Sequence, residues 1–265
     1  MLRRDGVRAL AREVLRRLRP QTPKLDEAKV VFDVLRGTTN GVLVDVGAHH
    51  GGSLAPFADA GWRVLAFEPD ATNRATLVTR FGRCNNVTID PRGVSDKPAH
   101  DVAFFRSELS TGISGLSAFH ESHAQSGTID VTTLADASTQ YDIARIDLLK
   151  IDTEGFDLFV LRGVPWDRLH PRAILCEFED SKTTPLGYTF HELARFLVDR
   201  GYRVMVSEWK PIERYGATHT WRRFVSYPCE LSDVKAWGNL IAVEAALHDN
   251  LVAACSRVAA NLDKK

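Results

Sequence analysis

The chain has 265 residues, 44% hydrophobic and 26% charged, with 34 Lys plus Arg balanced by 34 Asp plus Glu. That length and apolar content suffice for one full α/β core and leave little for a second domain. Zero net charge argues against nucleic acid as the main partner, because neutralising phosphates needs a surplus of Lys and Arg. Cys84, Cys176, Cys229 and Cys255 lie too far apart for a zinc pattern. No apolar run reaches the roughly 18 residues of a membrane span, and the amino terminus lacks the apolar centre of a signal peptide. A soluble, cytoplasmic protein is expected.

Residues 1–19 carry Arg3, Arg4, Arg8, Arg12, Arg16, Arg17 and Arg19, with Val7, Leu10, Val14 and Leu18 at helical spacing between them. This reads as a basic amphipathic helix that Pro20 ends. It would either touch anionic lipid at a membrane surface or cap the domain with its arginines in solvent, and the lack of aromatic anchors favours the cap. A helical pattern over 25–35 then leads into the apolar strand Val42–Val46, which runs into the glycine-rich turn Gly47-Ala48-His49-His50-Gly51-Gly52. A helix from near Ser53 precedes a second strand, Arg63–Phe67, which ends in Glu68-Pro69-Asp70. Further strands are expected near 87–89 and 101–105, then a long Ser-, Gly- and His-rich loop over 105–128 of the kind that forms lids or binding loops.

Two more apolar runs close on acids: Ile146-Asp147-Leu148-Leu149-Lys150-Ile151-Asp152-Thr153-Glu154-Gly155-Phe156-Asp157 and Ala173-Ile174-Leu175-Cys176-Glu177-Phe178-Glu179-Asp180. A helical run, 190–199, precedes strands at 202–206 and 239–243, which enclose an aromatic and basic insert over about 207–238. Alternating strands and helices predict a doubly wound, mostly parallel Rossmann-like sheet with helices on both faces and an antiparallel last strand. The layout is a lead-in over 1–40, a catalytic domain over 41–245 and a helical tail over 246–265, the tail offering a surface to a neighbouring subunit.

The first turn discriminates among cofactors. It lacks the Gly-Lys-Ser/Thr ending of a phosphate-gripping loop and the Gly-x-Gly-x-x-Gly spacing of a dinucleotide site. Asp45 beside it is unfavourable to a pyrophosphate and suits a cationic or amine-bearing end. S-adenosylmethionine carries a sulfonium, an ammonium and a ribose, and Glu68 stands where an acid accepts ribose hydroxyl protons. In an open parallel sheet the ligand crevice lies outside the carboxyl ends of the strands, so Asp45, Glu68, Asp152, Glu154, Glu177 and Glu179 are expected around one mouth.

Over roughly residues 40–180 the sequence resembles the FkbM-type family of S-adenosylmethionine-dependent methyltransferases, through Val44-Asp45-Val46-Gly47-Ala48-His49-x-Gly51, Phe67-Glu68-Pro69-Asp70, Val94-Ser95-Asp96, Leu149 to Asp157 and Leu161-Arg162-Gly163. The resemblance implies methyl transfer to a hydroxyl oxygen of a sugar or polyketide. It also implies cofactor contacts from Asp45, Gly47, Ala48, His49 and Gly51 at the methionine end, Glu68 and Pro69 at the ribose, and Ser95 and Asp96 at the adenine.

A hydroxyl acceptor needs a general base, or a metal that lowers its pKa. Asp152 is the first candidate for the base, with helix capping as its structural alternative; His191 is the second. Asp152, Glu177 and Glu179 are hard oxygen ligands of the kind that Mg²⁺ accepts. Glu154, Tyr188, Trp209, Trp221 and Arg222 are expected to face the acceptor, since aromatic faces stack on sugars and arginines grip anionic groups. The expected activity is O-methylation of a sugar hydroxyl in a glycan or glycosylated product. A polyketide or other small-molecule hydroxyl is the alternative acceptor, and a non-catalytic cofactor-binding scaffold the alternative of another class.

Overall fold

The run Val42-Leu43-Val44-Asp45-Val46 is a strand buried on both faces, which is why it reads as continuously apolar rather than alternating. In the computed structural model, which describes residues 25–107, 111–214 and 219–262, this strand is the middle one of five parallel strands. The basic helix expected over 1–19 lies outside the described residues. No helix among the described residues is long and apolar enough to cross a membrane.

Strand β1 (Val42–Val46) pairs in parallel with β2 (Arg63–Phe67) on one side and β7 (Leu148–Ile151) on the other. Outside these, β3 (Val87–Asp90) and β8 (Ala173–Glu179) continue the parallel run. Beyond β8 the direction alternates: β11 (Trp237–Val243) lies antiparallel between β8 and β9 (Arg203–Trp209), and β10 (Trp221–Ser226) forms the edge. The order is β10-β9-β11-β8-β7-β1-β2-β3. The sheet is therefore the expected mostly parallel one with an antiparallel last strand.

Each face has its own core. Val42, Val44, Val46, Ile174 and Cys176 point to one side, where α4 (Leu134–Gln140), α5 (Asp157–Arg162) and α7 (Phe190–Val198) cover them. Leu43, Val64, Ala66 and Leu175 point to the other, under α1 (Glu27–Val34), α2 (Ala55–Asp59), α3 (Ala71–Phe81) and the carboxyl-terminal α8 (His248–Leu262). The parallel strands thus end together on one edge, where the turns after β1, β2, β7 and β8 meet.

Two expectations change. The long loop expected over 105–128 is strand at its two ends: β5 (Ala99–Ser107) and β6 (His123–Thr132) pair antiparallel and, with β4 (Gly93–Val94), form a second sheet in the order β4-β6-β5. Much of this hairpin is solvent-facing, so its Ser, Gly, His and Gln residues hide the alternation by which strands are recognised. Arg106 of β5 reaches Asp70 at 2.6 Å, tying the small sheet to the end of β2. The aromatic insert likewise holds an edge strand, β10, that extends the main sheet.

At the opposite edge of the sheet, Asp147 is buried and accepts hydrogen bonds from Val42 N (2.9 Å), Arg145 Nε (3.2 Å) and Arg172 Nη1 (3.4 Å). Asp147→Ala leaves the Val42 amide unsatisfied, and the partly exposed arginines add little of their own. The expected cost is about 2 kcal/mol, a fall in Tm of roughly 4–8 °C in a thermal melt.

Candidate functional site

Gly47 adopts φ 80° as the chain leaves β1, His49 φ 50° and Gly51 φ 73°. These left-handed positions fold the turn back on β2: the Gly47 and Ala48 amides both donate to Phe67 O at 3.0 Å, and the His49 amide donates to Glu68 Oε2 at 2.6 Å. Glu68 also accepts the Asp70 amide at 2.8 Å, and Asp70 caps α3 through Thr72 N and Asn73 N. The acid is thus fixed by backbone donors on two sides. Burial nevertheless pushes its pKa up to about 7.

Beneath the turn lies Lys150. Its Nζ donates to Gly47 O at 2.8 Å and sits 3.2 Å from Asp45 and 3.4 Å from Asp152. Asp45 and Lys150 are register partners on β1 and β7, so the charges meet because the strands pair. The two acids hold the lysine charged, above its ordinary range, despite burial. Burial raises Asp45, against the pull of Lys150.

Between these turns opens a cavity of about 310 Å³. One end is formed by Gly47, Ala48, His49 and Asp152, the middle by Glu68 and Pro69, and the other end by Arg92, Gly93 and Val94 with Phe104 and Ile129 of the small sheet. Glu154, Phe156 and Glu177 complete the acidic end, and Gly112, Ser114, Gly115 and Leu116 close one side. Burial and the stacked ring of His50, 3.7 Å away, keep the His49 imidazole below its usual pKa and therefore neutral at pH 7.

The structure brings Gly47, Ala48, His49, Glu68, Pro69, Asp152, Glu154 and Glu177 together around this cavity. It does not bring the others. Asp45 is fully buried against Lys150 and does not reach the lining. At Gly51 a side chain would strike Phe81 at 2.5 Å and Leu77 at 2.7 Å, so that glycine serves packing against α3. Ser95 and Asp96 lie outside the lining: the Ser95 amide bonds Thr132 O in the small sheet, and its carbonyl abuts Gly163, leaving Arg92 to Val94 as the wall.

The expected acceptor residues are mostly structural. Tyr188 is buried and its hydroxyl donates to Gly155 O at 2.7 Å. Trp209 donates to Glu27 at 2.8 Å, Trp221 to Ser207 at 3.2 Å, and Arg222 lies 3.8 Å from Glu208. His191 packs against Tyr227 and pairs with Glu230 at 3.4 Å, away from the cavity. Trp209, Trp221 and Arg222 lie on β9 and β10, so their rings and charge are used in joining these strands to the sheet.

The metal set also changes. One oxygen each of Asp152, Glu154 and Glu177 lies within 4.8 Å of the others, whereas Glu179 is outside that group. The cation facing this cluster is Lys182 of the short helix α6 (Asp180–Thr183), 2.6 Å from Glu154, 3.0 Å from Glu177 and 2.9 Å from Glu179. With Lys182 on two of the three acids and Lys150 3.4 Å from the third, the residues present do not fit a divalent ion. The helix that follows, α5, has no side-chain cap, so Asp152 does not serve as one; its first residue, Asp157, accepts Thr153 Oγ1 and the Glu177 amide at 2.9 Å each, and burial pushes its pKa up to about 6.

Lys150, Lys182, Asp157 and Arg92 are the participants that sequence reasoning passed over. A lysine inside the run Leu148-Leu149-Lys150-Ile151 was the available signal, since a charge on a doubly covered strand needs a buried partner.

A family model described as the methyltransferase FkbM domain matches residues 45–204. Among solved structures, the chain is similar to a methyltransferase FkbM from Methylobacillus flagellatus KT, with 18% identity, 78% of this chain and 45% of that one covered, and a TM-score of 0.44. It is also similar to precorrin-6y C5,15-methyltransferase from Geobacter metallireducens GS-15, with 15% identity, coverage of 85% and 93%, and a TM-score of 0.43. TehB from Haemophilus influenzae matches at 10% identity, coverage of 85% and 64%, and a TM-score of 0.45. No curated protein matches.

A Cβ on Gly47 would lie 1.9 Å from the Asp152 carbonyl oxygen at a φ that favours glycine, whereas one on Gly52 meets nothing within 4 Å. Gly47→Ala is therefore expected to lower Tm and distort the cavity, and Gly52→Ala to leave Tm unchanged. Parallel melts of the two variants check this.

Proposed function

The chain belongs to the FkbM methyltransferase domain family over residues 45–204, and from that premise we propose that it is an O-methyltransferase whose acceptor is a hydroxyl of a sugar in a glycan or glycosylated product. The observation that carries this reading is the convergence of Asp152, Glu154 and Glu177 at one end of the cavity, beside the Gly47 turn. Carboxyl oxygens accept hydrogen bonds, and burial raises Glu154 to about 7 and Glu177 above its usual range, against the pull of Lys182, so the cluster both accepts and donates, which suits an acceptor rich in hydroxyls.

The residues fit S-adenosylmethionine. Gly47, Ala48 and His49 line one end of the cavity, Glu68 presents a carboxylate at mid-cavity, and the far end is lined by Val94, Phe104 and Ile129. Gly47 to His49 would hold the methionine end, Glu68 the ribose hydroxyls, and the apolar end the adenine. When bound, the cofactor supplies a methyl group on a sulfonium, a good leaving group. The chain's part is to align the acceptor oxygen and receive its proton. Asp152, its side chain 46% exposed, is the carboxylate of the cluster most open to an acceptor and is the proposed base.

Calorimetric titration with S-adenosylmethionine is expected to give micromolar binding. Because Glu68 titrates near 7 in the free protein and must be ionised to accept both ribose hydroxyls, affinity should fall as pH drops below about 7, approaching tenfold per unit. Glu68→Gln should weaken binding at pH 8 and remove most of this dependence; unchanged affinity would mean that the ribose acid is elsewhere.

Asp152→Asn keeps size and removes the charge. Its kcat is expected to fall at least a hundredfold, a typical general-base contribution, with cofactor affinity within a few fold. Near-normal turnover on a sugar acceptor, followed by mass shift, would rule Asp152 out as the base.

A further inference from the structure

Lys182 is buried, and three carboxylates from two parts of the chain reach its ammonium. Glu177 and Glu179 come from alternate positions of β8 and so share a face of that strand. Glu154 comes from the turn after β7, where it adopts φ 55°, uncommon for a residue with a side chain. The turn is pressed onto α6: a Cβ on Gly155 would lie 3.3 Å from Lys182 Cβ. On the far side the Phe119 ring lies 5.2 Å from Nζ, within the range of a cation–π contact.

Glu154 and Glu177 both line the cavity, and with Asp152 they have the oxygen spacing that a divalent ion would take. Lys182 holds those same two carboxylates at 2.6 and 3.0 Å. A free Mg²⁺ would have to shed water that it gives up reluctantly, and would then sit beside a fixed ammonium of like charge. The lysine is tethered and loses no translational freedom in staying.

We propose that Lys182 is a positioning residue that stands in for a divalent cation: it draws Glu154 and Glu177 to the acceptor end of the cavity and offsets their charge, so that both flank Asp152 and orient the acceptor hydroxyl. The acceptor part of this inference rests on the methyl-transfer reading. The exclusion of a metal ion by Lys182 rests on the side chains alone.

The test is Mn²⁺ binding by electron paramagnetic resonance on the full chain, without cofactor or acceptor. The wild type is expected to bind no Mn²⁺ at this cluster at millimolar concentration. Lys182→Met should acquire a Mn²⁺ site that Lys182→Met/Glu177→Gln lacks. In turnover, the wild type should be indifferent to chelation, whereas Lys182→Met should lose at least tenfold in kcat and regain several-fold with Mg²⁺, a rescue that a purely structural lysine would not give. Submillimolar Mn²⁺ binding by the wild type, lost in Glu177→Gln, overturns the proposal; so does a folded Lys182→Met without Mn²⁺ affinity. Should Lys182→Met not fold, the wild-type titration and the Glu177→Gln control decide. Because Mn²⁺ binding needs neither cofactor nor turnover, a chain that fails to bind S-adenosylmethionine would sink the methyl-transfer reading and leave this result standing.

Discussion

The buried ammonium of Lys150 fixes the geometry on which the site depends. Strand pairing sets it opposite Asp45, and from there it holds the Gly47 carbonyl and the Asp152 carboxylate. The turn after β1 and the acid after β7 are thereby locked to each other across the sheet. Removing one member of such a group strands an uncompensated charge in the interior, a loss commonly larger than the pair's own net contribution. The same contact explains why Gly47 admits no side chain: the Asp152 backbone occupies the space.

A second chain of contacts runs the other way, from the turn through Glu68 to the small sheet. His49 N binds Glu68, Glu68 binds Asp70 N, Asp70 caps α3, and Arg106 of β5 pairs with Asp70. The hairpin that carries Phe104 is thus tied to the carboxylate at mid-cavity by successive polar links. Both ends of the cavity are set by backbone groups and buried ions rather than by exposed loops, which suits a cofactor that must present one atom in line with an acceptor.

The parts of this arrangement that depend on local sequence were legible in advance. Continuous apolar runs identified the doubly covered strands, and the turn glycine and strand-end acids located Gly47, Glu68 and Asp152. What could not be read was which side of a turn a residue faces. Asp45 and Gly51 lie in the same motif as Gly47, yet one is turned under to Lys150 and the other into α3. Lys182 was hidden because a lysine four residues into a polar stretch looks like any surface lysine until Glu154, Glu177 and Glu179 are seen around it. Trp209 and Trp221, on β9 and β10, resembled a sugar platform because aromatic stacking and sheet packing call for the same residues.

The central claim is that an adenosyl cofactor lies between the Gly47 turn and Glu68, along the carboxyl ends of β1 and β2. Hydrogen exchange of the full chain, with and without S-adenosylmethionine, tests it most directly because it locates binding without assuming an acceptor. Slowed exchange at residues 47–50 and 68–70, with residues 203–209 and 221–226 unchanged, is the outcome expected from this geometry. Slowing confined to β9 and β10, or none in the turn at saturating cofactor, would contradict it.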